Sequence, residues 1–158
     1  MRFPDLTSFG SYAAGVSTPS ASSRLRLLSC QLERAPGARS RVTVAFADGD
    51  DGAPLVRHEE GPTCTGGDLR LAALATLAAV SHATAGTLRL ELVGVKSMRA
   101  FDTTVMVVGL LAHLDGVTSR VIGTAVADED ALAGVARATL HALNRLAEPR
   151  IARTDRAA

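Results

Sequence analysis

Residues 101–146 read FDTTVMVVGLLAHLDGVTSRVIGTAVADEDALAGVARATLHALNRL. Thr103 to Leu114 is dense in β-branched and apolar residues, and Asp115-Gly116 separates it from a second such run, Val117 to Val126. Asp-Gly between two strand-like runs is a hairpin signal, because a tight turn needs residues that tolerate positive φ. Asp128, Glu129 and Asp130 then place three acids where a helix should begin, which suits both N-capping and the helix dipole. Beyond them Leu132, Val135, Ala136, Thr139, Leu140, Leu143 and Leu146 recur at the helical period as one apolar stripe. The stretch predicts strand, turn, strand, helix, and the fold depends on whether that unit occurs once or twice.

Upstream, Thr87 to Lys96 alternates Leu88, Leu90 and Leu92 as a strand until Gly94 interrupts it, and Ser97, Met98 and Arg99 form a polar connection. Before it, Leu69 to Ala83 (LRLAALATLAAVSHA) predicts a helix capped by Asp68 and ended by Gly86. This helix is apolar on nearly every side, so it should be covered on more than one. Earlier still, Arg24 to Glu33 reads as a half-buried strand with a slip at Leu28 that suggests a bulge. Arg41 to Asp48 and Leu55 to Glu60 follow as strands, separated by the turn-forming cluster at 48–52. The first half therefore repeats the second: strand, strand, strand, helix.

The parallel extends to particulars. Gly61 precedes Asp68 by the same spacing as Gly123 precedes Asp130, and Ala75-Thr76-Leu77 reappears as Ala138-Thr139-Leu140. Duplication accounts for this order, and it predicts an α+β domain of two βββα repeats, about 24–84 and 87–147, forming a two-layer arrangement of sheet and helices. Residues 1–23, rich in Ser, Thr, Gly and Pro, read as a flexible arm in which Phe3, Phe9 and Tyr12 could dock on the domain or a neighbour. Residues 148–158, interrupted by Pro149, read as a frayed tail.

Composition narrows the function classes. The chain has 158 residues, of which 47% are apolar and only 3% aromatic, with no Trp and a formal charge of +1. Such a chain offers few stacking platforms and no basic field, which argues against nucleic acid as a partner. No apolar run is long enough to span a membrane, and Arg2, Pro4 and Asp5 do not suit a signal peptide, so a cytoplasmic protein is expected. Cys30 and Cys64 are in no metal-ligand spacing and read as buried or half-buried thiols.

The loop and Ala-rich helix GPTCTGGDLRLAALATLAAV, the middle strand pair, and the ending from Gly123 through Arg145 together resemble the C-terminal regulatory domain of 2-isopropylmalate synthase, over about residues 24–147. The resemblance implies two βββα units, a homodimer, and a small metabolite such as a branched-chain amino acid bound as an allosteric effector of leucine biosynthesis. The catalytic barrel of that family has no room in this chain, so a stand-alone, non-catalytic domain is expected. The positions that would line the ligand site are Gly61, Thr63, Cys64 and Gly66 in the glycine-rich loop, with Asp102, Gly123 and Asp128 from the second repeat. No cofactor, metal or catalytic residue is expected.

His58 and His113 fall in strands and His82 and His141 late in helices, with no i, i+4 pair of the kind that holds a metal. His58 near Cys64 lacks a third group to orient it for nucleophilic work. The rival expectation is a small enzyme of isomerase or cyclase type, which needs a pocket where groups such as His58, Glu60, Arg99, Asp102 or His113 converge. A third is a subunit that binds a larger protein through the aromatic arm.

Overall fold

The computed structural model describes residues 24–48, 53–127 and 129–157. The elements are β1 (Leu25–Ala35), β2 (Arg39–Asp48), β3 (Leu55–Pro62), α1 (Gly67–Ala83), β4 (Arg89–Ala100), β5 (Thr103–Leu114), β6 (Val117–Ala127) and α2 (Ala131–Ala157). They make two three-stranded antiparallel sheets, β1-β2-β3 and β4-β5-β6, each followed by its helix. The α+β fold of two βββα units is the one the repeat predicts. The arm at 1–23, the turn at 49–52 and Asp128 lie outside the described residues.

The duplication reaches individual rungs. In sheet 1 a bulge between Leu27 and Ser29 follows the rung Leu27, Phe46, Leu55, and in sheet 2 a bulge between Leu92 and Gly94 follows the rung Leu92, Leu110, Val121. The bulged residues, Leu28 and Val93, are both exposed. On the middle strands Val42, Val44 and Phe46 match Met106, Val108 and Leu110, and all six are buried. Thr76 and Thr139 are wholly buried, and each hydroxyl donates to the carbonyl four residues back, on Ala72 and Val135, at 2.8 Å. That bond gives a buried polar group its partner inside the helix, the condition for burying it cheaply.

The rungs correct part of the sequence alignment. Gly61 pairs across to Ser40, and the equivalent rung in sheet 2 joins Thr104 to Ala127, so Gly61 corresponds to Ala127 and not to Gly123. From that rung to the buried Thr, the first repeat is three residues longer, and the surplus forms the β3–α1 loop. Asp68 is accordingly not a cap: Gly66 is the N-cap of α1, at φ 74, with no side-chain cap bond. In α2 the cap is Asp130, whose Oδ1 accepts from Leu132 N at 2.9 Å and Ala133 N at 3.0 Å.

Two other boundaries differ. Ser97, Met98 and Arg99 continue β4 instead of leaving it, because the chain reverses in two residues at Phe101 and Asp102, both at positive φ. Helix α2 does not end near 147 but runs through Pro149 to Ala157, and Ile151 is 2% exposed. Burial of Ile151 compensates for the backbone hydrogen bond that Pro149 cannot donate.

The core is shared between the repeats. Helix α1 rests on β2 and β3 of its own sheet and also on β4, while α2 rests on β5 and β6 and also on β1, and the helices touch each other. Each helix thus covers the first strand of the other repeat, which gives the molecule an approximate internal two-fold symmetry. This arrangement explains the all-round apolar sequence of α1: Leu71, Ala72, Ala73, Ala75, Leu77, Ala79, Val80 and Ala83 are all buried.

Candidate functional site

Two helix-flank grooves are related by the internal symmetry, and they differ. The groove over α2 is closed: Arg24, Leu25, Leu140, Leu143, Asn144, Glu148 and Ile151 line a void of about 10 Å³. Arg24 Nε donates to Glu148 Oε2 at 3.0 Å across its mouth. The corresponding groove over α1, between α1 and β4 with β3 at its edge, is open, with a volume of about 620 Å³. Its floor is Leu74, Leu77, Ala78, Leu88, Leu90 and Leu92. Its rim carries Glu59, Arg70, Ser81, Arg89 and Glu91.

The difference has a cause in sequence. Asn144 stands where α1 has Ser81, and α2 continues past the point where α1 ends, so Glu148 and Ile151 fill what the first repeat leaves open; Arg137 and His141, standing where α1 has Leu74 and Ala78, make that flank polar. Arg89, the counterpart of Arg24, reaches Glu91 on its own strand at 3.3 Å instead of bridging to the helix. A groove of this size with an apolar floor and both signs of charge at its edge is suited to a small zwitterion with an aliphatic side chain.

A second hollow of about 320 Å³ adjoins the first through Arg70 and Leu74 and is lined by Glu60, Gly61, Pro62, Cys64, Gly67 and Leu71. Two of the expected ligand positions, Gly61 and Cys64, line it. Gly61 is the β3 residue against which α1 packs, since a Cβ there would stand 3.2 Å from Leu71 Cδ2. Thr63 and Gly66 instead shape the loop. Thr63 N donates to Ala38 O at 2.7 Å, and Thr63 Oγ1 shares a hydrogen bond of 2.9 Å with the buried Ser40 Oγ. Arg34 donates to both oxygens of Asp68 at 3.0 and 2.8 Å and also to Ser40, tying β1 to the start of α1.

The remaining expected positions lie elsewhere. Asp102 is in the β4–β5 turn at φ 62. Gly123 is a packing residue: a Cβ there would be 1.9 Å from the Ala138 carbonyl oxygen, so only glycine admits α2 this close to β6. Asp128 is outside the described residues. The structure therefore joins Gly61 and Cys64 to a groove whose main residues the sequence reading did not single out. The nearest signal was the doubly apolar α1, whose surplus apolar face becomes the groove wall.

The titratable groups are dispersed. His58 points away from the helices on sheet 1, beside Arg41 and Glu60, and His113 does the same on sheet 2. His113 Nδ1 shares a 2.8 Å bond with Thr118 Oγ1, while its Nε2 lies 3.2 Å from Glu91 Oε1 without hydrogen-bond alignment. Arg99 and Asp102 sit at the β4–β5 end of sheet 2, and of the five groups considered for catalysis only Glu60 lines either hollow. The hydrogen bond and charge of Arg41 hold Glu60 below the usual carboxylate range, with a smaller pull from Arg39 and His58. Burial, aided by the Asp130 carboxylate, pushes the Cys30 thiol up to about 12. Cys64, expected to be sheltered, is exposed, because the β3–α1 loop carries it outside the helix packing. His141, expected at a helix end, is mid-helix, and its Nδ1 lies 3.0 Å from the Thr124 carbonyl.

Among the described residues no cluster of His, Cys, Asp and Glu could hold a metal ion, and no helix is long and apolar enough to cross a membrane. Compared with known proteins, the chain matches no family model, and no curated protein matches it.

Proposed function

We propose that this chain is a non-catalytic regulatory domain of the 2-isopropylmalate synthase type, a cytoplasmic homodimer that binds a small branched-chain amino acid in the groove between α1 and β4. The observation that carries the binding reading is the broken symmetry. One of two equivalent grooves is closed by the Arg24–Glu148 pair and the end of α2, whereas the other is open over leucines. In that groove Arg70 and Arg89 suit a carboxylate, Glu59 an ammonium, and Leu74, Leu77 and Leu90 an aliphatic side chain. The dispersion of His58, Arg99, Asp102 and His113 favours binding over the isomerase or cyclase alternative, which needs converging polar groups.

Thermal unfolding in the presence of leucine, isoleucine or valine tests this. A ligand at a hundred times its Kd contributes about 2.7 kcal/mol, which for a chain of this size raises Tm by roughly 5–10 °C. Leu74→Arg should abolish the shift without unfolding the chain, since Leu74 is only half-buried. No shift with any of the three at millimolar concentration retires the ligand.

A further inference from the structure

The outward faces of the two sheets sit at equivalent positions and differ in chemistry. On the middle strand of sheet 1 the outward residues are Arg41, Thr43, Ala45 and Ala47, and their counterparts in sheet 2 are Val105, Val107, Gly109 and Leu111. Val93, Met98, Ile122 and Val126 flank the latter and are all exposed, Ile122 by 63%. Phe101, at the tip of the β4–β5 hairpin, is 100% exposed and is held at φ 49, a conformation that a bulky residue adopts only at a cost. The middle strand of sheet 1 carries Arg41, paired with Glu60 across the sheet, whereas on sheet 2 the charges, Arg89 and His113 around Glu91 with Lys96 and Arg120, flank an apolar middle strand.

We infer that the outward face of sheet 2 is where a second copy of this chain docks, sheet on sheet about a two-fold axis parallel to β5; this rests on the dimer half of the proposed function. That operation lays β4 on β6 of the second copy, rung against rung. Gly94 shares its rung with Gly109 and Ile122, and a Cβ at Gly94 would meet nothing within 4 Å, so it leaves a hollow. Ile122 of the second copy faces that hollow. One rung to one side Glu91 meets Arg120 of the second copy; one rung to the other Lys96 meets its Thr124, and beyond that Met98 meets its Val126. Arg120 has no ion pair among the described residues, so the pairing satisfies a charge otherwise left alone. The hairpin tip carries Phe101 over the end of the second copy's β6.

The area is adequate. Three strands of about eleven residues, at about 4.8 Å spacing and 3.3 Å rise, present roughly 500 Å² per copy. With Phe101 added, the total exceeds the roughly 1,000 Å² expected of a specific interface.

Light scattering of the full chain at micromolar concentration tests the face. Wild type should be a dimer and Ile122→Arg a monomer, while Val56→Arg, the equivalent outward position on sheet 1, should remain a dimer. Phe101→Asn relieves the strained turn, so it should raise the unfolding temperature while weakening the dimer about tenfold, an outcome that misfolding would not give. Glu91→Arg should weaken the dimer by setting two arginines against each other, and adding Arg120→Glu should restore it. A monomeric wild type, its face left for another occupant, overturns both the inference and the dimer reading. A dimer that survives Ile122→Arg overturns this face alone, and a Glu91→Arg variant that Arg120→Glu does not restore overturns the axis. Ligand binding at the α1 groove is read separately by the Leu74→Arg variant.

Discussion

At the residue scale the strongest constraints come from small side chains. Gly123 lies under α2 with no space for even a methyl group, because the backbone of Ala138 and Ala142 occupies the place a Cβ would take. Gly123→Ala should therefore lower stability by about 3 kcal/mol, the upper range of overpacking, in a denaturant titration. Ala85 shows the opposite case. It follows the end of α1 at φ 48, donating to His82 O at 3.0 Å, while Gly86 donates to Ser81 O at 2.8 Å. The glycine expected to close this helix stands one place past the residue that first turns left-handed, so Ala85→Gly should raise stability by about 1 kcal/mol in the same titration.

The Cys30 thiol sets a third expectation at this scale. Its ordinary value of 9.0 is raised to about 12 in the fold, chiefly by burial. A folded pKa above the unfolded one means that the contribution is complete below about pH 9 and is lost as pH rises through about 12. Thermal melts should show a decline between pH 9 and 11 that Cys30→Ala lessens. Mass spectrometry after alkylation of the native protein should find the exposed Cys64 modified well before Cys30.

At the scale of elements, the two helices begin differently and should respond differently. Asp130 caps α2 with two backbone hydrogen bonds, so Asp130→Ala should cost about 1 kcal/mol. Asp68 lies inside α1 and makes a partly exposed pair with Arg34, so Asp68→Ala should cost less, which urea unfolding of both variants would compare. This is also where the sequence was most and least legible. The slip at Leu28 announced a real bulge, since a break in alternation is the trace a bulge leaves in an apolar pattern. Asp115-Gly116 announced its turn because Gly tolerates positive φ, whereas Phe101-Asp102 makes a similar turn without a glycine, and the connection was placed before it at Ser97, Met98 and Arg99. Pro149 looked like a terminator because local propensity says so, but the contact that holds Ile151 is tertiary. The groove over α1 was hidden for the same reason: Leu74 and Leu90 share it only because α1 reaches across to the other repeat.

At the scale of the whole molecule, the exchange of contacts between repeats decides how the fold holds together. A chain whose two βββα units merely sat side by side could lose one and keep the other. Here α1 covers β4 and α2 covers β1, the helices pack on each other, and one apolar cluster runs from Leu25 and Phe46 through Val80 and Leu88 to Val135 and Leu143. Cutting the chain at Gly86 would strip α1 of two of its covering surfaces and expose the buried Ala72, Ala75 and Val80. Each half would then have a single three-stranded sheet under one helix, close to the smallest assembly that stands alone in water. Residues 24–86 and 87–157, expressed separately, should each give the far-ultraviolet spectrum of a largely unfolded chain. Mixed in equal amounts they should regain the native spectrum and melt in one transition, because the missing surface of each is supplied by the other. Two halves that fold independently, or an intact chain that melts in two steps, would show that the exchanged contacts contribute little, and the Arg24–Glu148 closure would then be a local ornament of α2 instead of part of a shared core.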